Sequence, residues 1–134
     1  DDRALEKMHS AFSDIPENLA DYYLSYAYLK RATVSGGSGD LDAALDHLKA
    51  SIELDERIGR EHCIEYAAKQ VALSRAYRSQ GLYNSEVKSI IKAMKPLIDF
   101  FGDENDRVTS NIRRLQFLRD EKGVKNRDME KLFK

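Results

Sequence analysis

The chain has 134 residues, 22 Lys+Arg against 23 Asp+Glu, and a formal net charge of -1. That is one domain's worth of chain with an apolar share of 42%, enough for a core, which argues against wholesale disorder. The near-zero charge removes the broad attraction that nucleic acid or an anionic membrane exerts. No run of about 18 apolar residues is present to span a bilayer.

The first helical pattern covers Arg3–Phe12 and the second, opened by Pro16 at a first-turn position, runs to Val34. A glycine-serine loop follows, with Gly36, Gly37 and Gly39. From Gly39 the remaining glycines, Gly59, Gly81, Gly102 and Gly123, recur at gaps of 20, 22, 21 and 21 residues. Glycine takes the left-handed conformation that ends helices, so this rhythm predicts helices with short connections. Leu41–Ile58 places Leu41, Ala44, Leu45, Leu48 and Ile52 at spacings of three and four. Glu61–Gln80 does the same with Ile64, Ala67, Ala68, Val71, Ala72 and Ala76. Asn84–Phe101 carries Val87, Ile90, Ile91, Met94, Leu97 and Ile98, and Asp103–Lys122 carries Val108, Ile112, Leu115 and Leu118. A short last helix begins near Asn126. Asp40, Asn84 and Asn126 stand where N-caps belong. Pro96 interrupts a continuing apolar stripe, which predicts a kink and not a stop. Nowhere does the alternation of a half-buried strand persist. The expected fold is all-α, with seven helices and no sheet.

The helices look like copies of one another. Leu24-Ser25-Tyr26-Ala27-Tyr28 and Leu73-Ser74-Arg75-Ala76-Tyr77 share the form LSxAY, 49 residues apart. Gly81 to Gly123 is 42 residues and Gly59 to Gly102 is 43, so the excess falls at the glycine-serine loop. Ala4, Met8, Ala11 and Pro16 follow A-x3-F-x2-A-x4-P at every spacing; Ala44, Leu48 and Ser51 follow it with one small-residue change. At the matching place Glu86 stands where a small residue is usual, ahead of Ile90 and Ala93.

On these residues the chain resembles the tetratricopeptide repeat (TPR) family, in a long variant of about 40 residues. The resemblance implies a right-handed solenoid of antiparallel helix pairs. Residues 1–15 then end a preceding repeat, 16–60 form a repeat with a loop insertion, 61–102 form another, and 103–134 form a partial repeat or cap. Because the chain enters and leaves in mid-repeat and starts Asp1-Asp2, it reads as an excised piece of a larger protein. The resemblance also implies a groove lined by the first helix of each pair. Tyr22, Tyr26 and Lys30, then Arg75 and Arg78, then Arg113 and Phe117 are the residues expected there. Arginines pair bidentately with carboxylates and aromatics anchor interfaces, so a protein or peptide segment, acidic in character, is the expected partner. Arg75 and Arg113 are expected to converge, with Asp120 and Glu121 as the acids at hand to offset them. Tyr26 and Arg75 occupy the place where a chaperone-tail clamp would carry asparagine, which argues against that subtype.

Little points to catalysis. The three histidines, His9, His47 and His62, are scattered, and the single cysteine, Cys63, forms neither an intrachain disulfide nor a Cys-based zinc site. Gly36-Gly37-Ser38-Gly39 lacks the Lys-Ser/Thr of a phosphate loop. The expectation is therefore a non-enzymatic, cofactor-free, metal-free binding module, located in the cytoplasm, with neither nucleic acid nor membrane insertion. The alternative is a sensory or regulatory TPR domain of a larger bacterial signalling protein or transcription regulator. Homodimerisation through the open ends is a further option.

Overall fold

A computed structural model describes residues 27–31 and 41–133. All regular structure among them is helical, with no strand. Residues 27–31 form one helical segment, and five helices follow: α1 (Leu41–Arg57), α2 (Ile64–Ser79), α3 (Tyr83–Phe101), α4 (Asp106–Lys122) and α5 (Arg127–Leu132). That makes six helical segments among the described residues, against seven expected for the whole chain. The helix expected over Arg3–Phe12, the cap expected at Asp40, and Tyr22 and Tyr26 lie outside the described residues.

The chain divides into two units, Asp1–Glu61 and His62–Lys134. In the first, α1 buries Leu45, Leu48 and Ile52, which recur at the spacing of one helix face, together with Ser51. The Tyr28 ring stacks on His47, with centroids 5.9 Å apart. Lys30 is exposed.

In the second unit α3 is the central element and packs against α2, α4 and α5. It buries Val87, Ile90, Ala93, Met94 and Leu97. Ala67 from α2, Val108, Leu115 and Leu118 from α4, Val124 and Met129 complete the core. Ala67 and Ala93 have no exposed surface, so the backbones can approach closely at these points. Pro96 sits inside α3, itself buried, and the helix continues five residues beyond it to Phe101. The apolar residues after Pro96 hold the last turn against its neighbours, offsetting the hydrogen bond that proline cannot donate.

All four glycine-marked breaks have positive φ: Gly59 at 76°, Gly81 at 72°, Gly102 at 87° and Gly123 at 66°. Gly123 closes α4 in the left-handed region, and the next N–H, from Val124, donates to the Leu118 carbonyl at 3.1 Å. This six-to-one bond is the signature of a Schellman stop. Gly102 is stricter still, since its ψ of 163° with φ of 87° lies in a region essentially reserved for glycine.

Three helix starts differ from expectation, and the first is α2, which opens at Ile64 behind an N-cap at Cys63 and not at Glu61. Asn84 is not a cap: α3 begins at Tyr83 after Leu82, so Asn84 is already the second helical residue. The tight turn at Gly81, closed by Leu82 N–H donating to the Tyr77 carbonyl at 3.0 Å, starts the helix two residues early. α4 begins at Asp106, not Asp103, because Asn105 provides the cap, its side-chain oxygen accepting from Arg107 N–H at 2.9 Å. Asn126 caps α5 as expected, accepting from Met129 N–H at 3.0 Å.

Candidate functional site

The face of α2 turned away from the core carries Ala68, Ala72 and Arg75, all exposed. They lie at helical spacing with Ile64 and Val71 and form one wall of a cavity of about 310 Å³. Leu97 and Phe101 from the end of α3 supply the floor, and Arg107, Ser110 and Asn111 from the first turns of α4 supply the opposite wall. Six of the ten lining residues are apolar, and the polar ones are Arg75, Arg107, Ser110 and Asn111.

Arg107 is held in place from two sides. The Asn105 cap fixes its backbone, and its guanidinium lies over the Phe101 ring, 4.7 Å from the centroid. Asn111 Nδ2 donates to the Arg107 carbonyl at 2.6 Å, which ties the amide to the same turn. Ser110 Oγ reaches that carbonyl less closely, at 3.5 Å. None of the ten lining residues is an acid, and neither Arg75 nor Arg107 forms an ion pair with the described residues. Two such guanidiniums at an apolar trough give it a positive potential that favours carboxylates.

The expected groove residues are thus divided. Arg75 lines the cavity. Arg78, Arg113 and Phe117 are exposed and lie outside its lining. Phe117, 42% exposed, is covered on one side by the Arg114 guanidinium at 5.1 Å. Asp120 forms no ion pair with Arg75 or Arg113. It accepts from its neighbour Arg119 at 2.9 Å, and this bond holds the Asp120 carboxyl below its ordinary value while raising Arg119. Arg107 is the cation that sequence reasoning missed. It lies six residues before Arg113, about 120° round the helix from it, so a stripe drawn through Arg113 and Phe117 does not pass through it.

A second feature stabilises the wall. Glu86, 2% exposed on α3, accepts two hydrogen bonds from Arg114 of α4, at 2.7 Å from Nε and 3.0 Å from Nη2. The bond to Glu86 raises the already high Arg114 value further. This gives the buried acid a structural role: the carboxylate clamps α4 to α3. Inside α2, Gln70 donates to the Tyr66 hydroxyl at 2.9 Å, satisfying two buried polar groups on the core side of the helix.

Among the described residues no cluster of three or more His, Cys, Asp and Glu could hold a metal ion, and no helix is long and apolar enough to cross a membrane. Comparisons of the chain with models of protein families, with curated proteins and with solved structures return no match.

Proposed function

We propose that this chain is a helix-pair repeat module of the TPR kind that binds a partner segment, without catalysis, in the trough between α2 and α4. The observation that carries this reading is the trough itself: an apolar floor bordered by Arg75 and Arg107, neither paired with an acid among the described residues. Its volume of about 310 Å³ lies at the low end of the roughly 300–1,000 Å³ usual for ligand sites. One or two side chains of a partner fill it, and the rest of the partner lies along the surface. The glycine-phased helices and the small residues Ala67 and Ala93 support the repeat architecture.

A peptide-display selection on the full chain tests this function. Enriched peptides are synthesised and titrated against the wild type, Arg75→Glu and an Ala72→Phe variant that plugs the trough. Affinity is expected to fall at least about tenfold in both variants and to weaken with rising salt. Enrichment no better than on a blank surface, or affinities indifferent to both substitutions, refutes the proposal.

A further inference from the structure

Resting on the trough as the binding site, the geometry points to a further occupant of definite chemistry: a small apolar monocarboxylate, an alkyl or aryl acid. The cavity lining is mostly hydrocarbon and ring, with two arginines and no acid. Contact with the Phe101 ring, whose centroid is 4.7 Å from the Arg107 guanidinium, consumes none of that guanidinium's N–H donors. Arg75 likewise has no ion pair among the described residues. An uncompensated guanidinium beside apolar surface favours an anion that carries its own apolar body, because carboxylate and hydrocarbon each find a partner. A small hydrated anion gains only the first of these contacts, and a neutral hydrocarbon only the second.

The lining also favours a ligand that brings no peptide backbone into the cavity. All ten lining residues lie within helices, where backbone N–H and C=O groups bond to one another outside the terminal turns. At the start of α4 the Arg107 N–H is taken by the Asn105 cap, and the Arg107 carbonyl accepts from Asn111 Nδ2 at 2.6 Å. Backbone amides lowered into the cavity would meet few partners and lose their water. An alkyl or aryl acid brings no such groups. The volume of about 310 Å³ suits a molecule of that kind, at the small end of ligand pockets. The partner segment of the proposed function contributes only side chains to this cavity, so acid and segment compete for the same residues.

The test uses the full chain, labelled with ¹⁵N, and four probes: 4-phenylbutyrate, the neutral 4-phenylbutanamide, the cationic 4-phenylbutylamine, and acetate. 4-Phenylbutyrate is expected to shift the amide signals of Val71, Ala72, Ser110 and Asn111 saturably, with a Kd of about 1 mM or tighter. The other three should each bind at least about tenfold more weakly. Arg107→Ala should weaken 4-phenylbutyrate about tenfold, and Arg107→Lys by less, since lysine keeps the charge without the planar fork. Unmoved signals from the buried Val87 and Met94 show that each variant keeps its fold. Added to a complex with a display-selected peptide, 4-phenylbutyrate should displace the peptide. Equal binding of the amide or of acetate, no effect of Arg107→Ala, or no saturable shift up to about 10 mM overturns the inference, while the peptide titrations still decide the proposed function separately. Binding without displacement of the peptide puts the acid elsewhere and overturns it too. If the selection enriches no peptide while 4-phenylbutyrate binds with the expected pattern, the proposed function falls and the carboxylate site stands.

Discussion

Truncating Arg114 should destabilise the protein more than truncating its partner. Arg114→Ala leaves the Glu86 carboxylate at 2% exposure without the two donors that now meet it at 2.7 and 3.0 Å. Removing one member of a buried pair costs about 3–5 kcal/mol, because the remaining charge is desolvated and unpaired. The Arg114 side chain keeps 17% of its surface exposed, so water can enter where it was, and the lower figure, about 3 kcal/mol, applies. Glu86→Ala costs less, about 1–2 kcal/mol, since the freed guanidinium can turn outward to solvent. Replacing both by apolar residues of similar length, Glu86→Leu with Arg114→Met, should return stability to within about 1 kcal/mol of the wild type. Urea denaturation followed by circular dichroism measures all three. With a slope of about 2 kcal/mol/M, the Arg114→Ala midpoint moves down by about 1.5 M. Completing the cycle with the Glu86→Ala/Arg114→Ala double variant isolates the coupling between the two. Equal costs for the two single variants, or a cost below about 1 kcal/mol for Arg114→Ala, would refute the view that this pair clamps α4 to α3.

Gly102→Ala should cost about 2–3 kcal/mol and Gly123→Ala about 1–2 kcal/mol, both read from denaturation midpoints. Nothing lies within 4 Å of the place a methyl group would take at either glycine, so the difference isolates backbone conformation. Asn126→Ala should remove about 1 kcal/mol from α5 alone, seen as faster hydrogen exchange at the Met129 amide with the α3 amides unchanged. Asp120 should titrate below an ordinary aspartate by NMR, and Arg119→Ala should bring it back. Because its folded value is lowered, its small contribution to stability is present above the unfolded value and disappears as pH falls through the folded one.

The helix breaks were legible because a single backbone requirement, positive φ, selects glycine at every one of them. The caps were less so. Asn126 follows its glycine by three residues and caps, as does Asn105, whereas Asn84 at the same offset does not. The difference arises at Gly81, where the turn bond from Leu82 to Tyr77 forces an early start that no local pattern announces. Glu86 was visible as a residue out of place, but its explanation stands 28 positions away on another helix. Arg107 and not Arg113 lines the trough. Val108, Leu115 and Leu118 are buried and Arg114 is bonded to Glu86, and a stripe read from α4 alone does not show which of its faces meets α3.

The central position of α3 has a kinetic consequence. Its main partners are α2, α4 and α5, all close to it in sequence, so the unit from His62 to Lys134 assembles from short loop closures. Such a chain is expected to fold rapidly, with the α2–α3 hairpin as the smallest piece able to nucleate. α4 and α5 then dock onto a surface already formed. Opening should run in the opposite order, so the α4 wall of the trough can detach and reclose while α2 and α3 stay together. For the proposed partner segment the trough would then offer an edge that opens on its own timescale, and the rate of capture would report on how often α4 is seated.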